Sequence, residues 1–138
     1  MSDALSIFAA ARDAATAPGL LLEGAPLTFA DLAALTERRI SALQTESAAR
    51  NPYPLVATNT LDALVTLYAL LETRVPALLI HPRLTPAERA ALIEMAGQIS
   101  SVPHADAALI LHTSGTTGRP RAAVLTRSAL LASAAASA

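Results

Sequence analysis

The chain has 138 residues, 53% of them hydrophobic and 15% charged, and 10 basic against 11 acidic side chains give a formal net charge of -1. That is ample apolar material for one packed domain and too little chain for two ordinary ones, and the charge balance offers no field of either sign to a nucleic-acid backbone or an anionic membrane. Cysteine is absent, which excludes disulfide staples, thiolate metal sites and cysteine nucleophiles. The start, Met1-Ser2-Asp3, carries no basic leader region, and the uncharged run Ala63 to Leu71 falls far short of the roughly 20 residues a bilayer span needs, so the expectation is a cytoplasmic protein without a membrane span. Aromatic residues make up only 3%, which removes the stacking platforms of a single-strand nucleic-acid binder.

Apolar residues Leu5, Phe8 and Ala11 or Ala9 recur at helical spacing, with Ser2 placed to cap and Pro18-Gly19 to stop a first helix from Ser2 to about Ala15. Leu20 to Glu23 and Leu27 to Phe29 flank the turn residues Gly24-Ala25-Pro26 and predict a small hairpin. Thr28 and Asp31 have the spacing of a capping box, and Leu32, Leu35, Ile40 and Leu43 behind them continue a helical stripe, with Arg38-Arg39 on its solvated face. Leu55 to Thr58 reads as a short buried strand, Leu61 to Leu71 as a helix and Val75 to Ile80 as another strand. Parallel strands need such a crossover, so the pattern predicts an α/β sheet, mixed or parallel, flanked by helices. Thr85-Pro86-Ala87-Glu88 combines an N-cap, a proline at the first helical position and a glutamate two residues on, and Gly97 supplies a stop. A linker from Ser100 to His104 leads to a last apolar strand, Ala107 to His112.

Directly after that strand comes Thr113-Ser114-Gly115-Thr116-Thr117-Gly118-Arg119-Pro120-Arg121. Two glycines permit positive φ and close approach of an anion, so successive N–H groups can turn inward as a nest. The hydroxyls of Thr113, Ser114, Thr116 and Thr117 can donate to non-bridging oxygens, and Arg119 or Arg121 can neutralise charge that develops on a leaving group. A Gly/Ser/Thr connection alone is usually a flexible link. This one is long, follows a strand end, where ligands gather in open α/β sheets, and is closed by proline and a cation. The Walker loop is excluded because no Gly-Lys-Ser/Thr ending exists, and a nucleophile elbow because Ser114 lacks the Gly-x-Ser-x-Gly frame. His81, His104 and His112 lack metal-site spacing, so no metal ligands are assigned.

Thr113 to Val124 resembles the phosphate-loop signature of the adenylate-forming superfamily, usually written Thr-Ser-Gly-Ser/Thr-Thr-Gly-x-Pro-Lys-Gly-Val. Leu27-Thr28-Phe29-Ala30-Asp31-Leu32 is similar to that family's early Leu-Thr-Tyr-x-Glu-Leu box, and His81-Pro82-Arg83-Leu84 to its Asn-Pro-Arg-Leu segment. The stretch Pro120 to Thr126 is most like the o-succinylbenzoate-CoA ligase branch. The resemblance implies that residues 1–138 are the N-terminal part of the large domain of an acyl-CoA synthetase. Such an enzyme takes a small-molecule carboxylate, ATP with Mg2+, and coenzyme A as co-substrate. Ser114, Gly115, Thr116, Thr117 and Gly118, with Thr113 beside them, would contact phosphates, and Arg121 would stand in the catalytic place of the family lysine.

This sequence departs from the family pattern in four ways. Arg121 replaces Lys, although all ten basic residues of the chain are Arg, so compositional drift accounts for the exchange. Ala122 stands where glycine is usual, Arg127 where histidine is frequent, and the segment before Ala107 is short enough to omit a strand. The family's adenine, ribose and acyl contacts and its mobile C-terminal domain would follow Ala138. A non-catalytic remnant or interaction module that keeps the fold is the alternative, and the isolated chain is expected to self-associate because faces made to meet further strands would be bare.

Overall fold

The structure, a computed structural model, describes residues 4–46, 51–98, 105–114 and 120–137. Its helices begin where a hydroxyl side chain can accept from an otherwise orphaned N–H. For α1 (Ile7–Ala14) that residue is Ser6, which accepts from the Ala9 amide at 3.1 Å. Glu72 explains why the helix starts there and not at Ser2, which lies outside the described residues. Its carboxylate Oε1, more than sixty residues away in sequence, accepts from Ser6 Oγ at 2.8 Å and from the Phe8 amide at 3.2 Å. A tertiary anchor of this kind leaves no trace in local spacing.

The expected hairpin forms from β1 (Pro18–Leu22) and β2 (Ala25–Thr28), antiparallel, turning at Gly24 with φ 101°. An L side chain is strained at that φ although the space around it is open. Gly24→Ala is therefore expected to destabilise the fold by about 1 kcal/mol, read as a lower denaturant midpoint at unchanged slope. The Thr28–Asp31 capping box opens α2 (Phe29–Thr45) as the spacing predicts: Thr28 Oγ1 accepts from the Asp31 amide at 3.1 Å and Asp31 Oδ2 accepts from the Thr28 amide at 2.9 Å. The bond from the Thr28 hydroxyl, and then that from its amide, hold the Asp31 carboxyl below its ordinary range.

A four-stranded sheet runs in the order β3 (Tyr53–Val56), β4 (Ala77–Ile80), β5 (Ala107–Ser114), β6 (Pro120–Thr126). The first three strands are parallel and β6 is antiparallel to β5, so the fold is α/β with a mixed sheet. Strand alternation sends Leu55, Ala77 and Leu109 toward Leu67 and Leu70 of α3 (Leu61–Thr73), and Leu78, Ile80 and Ile110 toward Ile93 and Ala96 of α4 (Pro86–Gln98). The path β3 to β4 to β5 steps across the sheet in one direction while α3 and α4 cover opposite faces. The two crossovers consequently have opposite hands, and one of them is the uncommon left-handed kind. A last helix, α5 (Arg127–Ala136), follows β6 with Thr126 as its N-cap.

At the outer edge, Tyr53 and Ala57 turn their N–H groups inward, to the carbonyls of Pro76 and Ile80, both at 2.9 Å. Pro54, with no N–H, therefore sits on the solvent side of β3.

Several expectations are revised. Gly97 is the last residue but one of α4 as described, and the Thr85–Glu88 cap forms as expected. Arg39 does not lie on a solvated face: its guanidinium donates to Thr66 Oγ1 at 3.0 Å, Tyr53 Oη at 3.3 Å and Glu46 Oε1 at 3.1 Å, joining α2 to α3 and β3. The 100–104 linker lies outside the described residues. No helix among the described residues is long and apolar enough to cross a membrane.

Candidate functional site

The segment expected to be a loop from Thr113 to Arg121 is shorter than the sequence suggested. Thr113 and Ser114 continue β5, and Pro120 and Arg121 open β6, with Thr113 opposite Arg121 and Ser114 opposite Pro120. The missed strand β6 reads Pro-Arg-Ala-Ala-Val-Leu-Thr, whose alanines and leading proline give a weak strand signal by propensity alone. What forms it is cross-strand pairing with β5, a non-local term. Gly115, Thr116, Thr117 and Gly118, together with Arg119, lie outside the described residues.

The described part nonetheless frames these five. In the parallel register Leu78 pairs with Ile110, and β4 ends at Ile80, so Thr113 and Ser114 run past the end of β4. The β5–β6 pair thus projects as a two-stranded arm from the C-terminal rim of the parallel strands, the position at which ligands collect in open α/β sheets. As directly opposed residues, Thr113 and Arg121 share one face of the arm. The Thr113 hydroxyl donates to the Arg121 carbonyl at 3.4 Å, a long bond that an anion can replace, and Arg121 is exposed. An exposed guanidinium beside an exchangeable hydroxyl can bind phosphate oxygens through charge-assisted hydrogen bonds.

Beneath the arm, on the α4 side, lies an apolar cavity of about 650 Å3 lined by residues that include Ile80, Leu84, Leu92, Leu111 and His112. His112 was expected to close the last strand. It lies within β5, and both of its ring nitrogens are buried with no hydrogen-bond partner among the described residues. Burial pushes its pKa below the ordinary histidine range. The unfolded chain therefore holds more protons on this ring than the folded one does just below pH 6.5, so its contribution to stability is complete above about pH 6.5 and is lost as the pH falls from there. His112→Leu is expected to raise the melting temperature at pH 6 and to flatten the fall in stability between pH 7 and pH 5. An unchanged pH slope would show that this ring is not the group that titrates.

A magnesium ion has no ready cage here: among the described residues no group of three or more His, Asp or Glu side chains could hold a metal.

The α/β fold with its mixed sheet is similar to part of several larger solved structures. Its likeness is to particular solved structures. O-succinylbenzoate coenzyme A synthetase (MenE) from Bacillus subtilis, in complex with AMP, superposes with a TM-score of 0.75 at 20% identity over 87% of this chain and 41% of that one. The N-terminal subdomain of NpsA from Klebsiella oxytoca, in complex with 3-hydroxybenzoyl-AMSN, gives 0.68 at 15% identity over 88% and 40%. Apo MatB from Rhodopseudomonas palustris gives 0.64 at 20% identity over 94% and 36%. The chain thus spans about two fifths of the length of the structures it resembles. No protein-family model matches it, and no curated protein matches it in sequence.

Proposed function

We propose that this chain forms the phosphate-cradling part of a cytoplasmic, ATP-dependent ligase that joins a small carboxylic acid to the thiol of coenzyme A. In that reaction a carboxylate oxygen attacks the α-phosphorus of ATP, the bond to the bridging oxygen breaks, and pyrophosphate leaves. The thiol then displaces AMP from the acyl-adenylate. The observation that carries this reading is the arm at the sheet rim, with Thr113 and Arg121 opposed at the point where the sequence continues into Ser114-Gly115-Thr116-Thr117-Gly118. On this reading those hydroxyls and amides, with the Thr113 hydroxyl beside them, hold the β- and γ-phosphates, and Arg121 stabilises charge on the departing pyrophosphate. The likeness to a synthetase acting on o-succinylbenzoate makes that acid the first to test.

Exchange of labelled pyrophosphate into ATP with a panel of carboxylates checks the proposal. Residues 1–138 alone are expected to give none, and a polypeptide that also supplies the remaining three fifths of the enzyme length is expected to give exchange with one acid class. Silence from that longer polypeptide with every acid would overturn the reading.

A second reading, an interaction module, is favoured by one feature. Leu21 is 80% exposed and Leu22 43% exposed, next to an apolar hollow of about 390 Å3 whose lining includes Leu20, Leu61, Leu64 and Leu67. Bare apolar surface of this kind favours self-association. Light scattering is expected to find dimers or larger species of the isolated chain, and Leu21→Asp is expected to shift them toward monomer. A wild-type monomer that melts cooperatively would contradict this.

A further inference from the structure

The arm is held differently at its two ends. Its tip runs past β4, and register pairing between β4 and β5 covers only Ala77 with Leu109 and Leu78 with Ile110. Its base is fastened by Arg127, the first residue of α5, which is only 7% exposed. The Arg127 guanidinium donates from Nη1 to the Leu71 carbonyl at 2.8 Å. That carbonyl lies in the last turn of α3, at the helix's negative end. The Arg127 amide donates to the Asp106 carbonyl at 2.9 Å, and Asp106 Oδ2 in turn accepts from the Ser128 hydroxyl at 2.6 Å and the Ser128 amide at 3.3 Å. The Ser128 hydroxyl bond, then the amide bond, with the positive charges of Arg127 and Arg74 adding to them, hold the Asp106 carboxyl below its ordinary range. The start of β5, the end of β6 and the end of α3 thus meet in one clasp.

We infer that Arg127 is a positioning residue: by locking the base of the β5–β6 arm to the end of α3, it sets where the arm carries Thr113 and Arg121 over the sheet rim. Arg127 and Arg121 stand at opposite ends of β6, about 20 Å apart, so Arg127 cannot touch a ligand at the tip and acts only through the arm. The link to phosphate binding rests on the function proposed above, whereas the link from clasp to arm does not.

Two measurements separate these. Amide hydrogen exchange at those residues of β5 and β6 whose N–H groups bond across the pair reads the arm without any ligand. Arg127→Leu is expected to speed exchange there about tenfold while the amides of β3 and α3 keep their rates, and Arg127→Lys, which can still donate to Leu71, is expected to restore most of the protection. Equal acceleration throughout the molecule, or none in the arm, overturns the inference. Should Arg127→Leu fail to fold, Ser128→Ala removes only the shorter bond to Asp106 and is read on the same amides, with the same two overturning results. The second measurement titrates inorganic tripolyphosphate, expected to bind Arg127→Leu about tenfold more weakly than the wild type and Arg127→Lys nearly as well. Equal affinity of the folded Leu variant and the wild type removes the positioning role. If the wild type binds no tripolyphosphate while the arm amides respond, the proposed function fails and the clasp stands.

Discussion

Arg121→Ala is expected to slow adenylate formation on the order of 10²-fold in the longer ligase proposed above, with the larger part of the loss in the rate of the first chemical step. The reason is electrostatic. Cleavage of the α–β bridging bond places new negative charge on pyrophosphate, and a preorganised guanidinium meets that charge without reorganising solvent at the moment it appears. Arg121→Lys is expected to recover much of the rate, since lysine keeps the charge and loses only the planar fork. Single-turnover release of labelled pyrophosphate makes the measurement, and an unchanged rate in Arg121→Ala would remove this residue from the mechanism. The effect is expected to be separable from folding, because Arg121 is exposed and its strand is held by backbone pairing with β5.

Leu78→Ala is expected to cost about 3 kcal/mol of folding stability and to lower the melting temperature by about 10 °C. Leu78 is 1% exposed and central on the α4 side of the sheet, packed in one cluster with Ile80, Ile110 and Ala96, with Val56, Leu84, Ile93 and Val124 around it. β-strand backbones on both sides fix its neighbours, so the void left by three lost heavy atoms has little room to collapse. The aromatic content of 3% sharpens the point: the core is built from aliphatic side chains and has few large rings to shift into the gap. Thermal unfolding followed by circular dichroism checks it, and a loss under 1 kcal/mol would mean that the site relaxes.

What could be read from the sequence follows the range of the interactions involved. The Thr28–Asp31 and Thr85–Glu88 boxes were legible because both partners of each bond lie three residues apart. The strand, helix, strand pattern around α3 was legible because the apolar period changes at its ends. By contrast, Glu72 fixing Ser6, Arg39 reaching Thr66 and Tyr53, and Arg127 reaching Leu71 are bonds between distant segments. Each involves a polar residue that looks like an ordinary surface group in its local context. The same holds for β6, whose alanines acquire strand geometry from β5. Of the candidate site, the motif singled out the stretch that joins β5 to β6. It did not reveal that Thr113 and Arg121 would oppose each other on paired strands, because that is a matter of register and not of composition.

Pro54 gives the sheet a polarity of growth. Where β3 faces outward, the proline offers no donor and the Val56 carbonyl already accepts from the Thr58 amide at 2.9 Å, so an incoming strand would find fewer groups to pair with. The far border, β6, carries no such guard within its seven residues apart from the opening Pro120. Edge pairing by a further strand is therefore expected along β6 before β3.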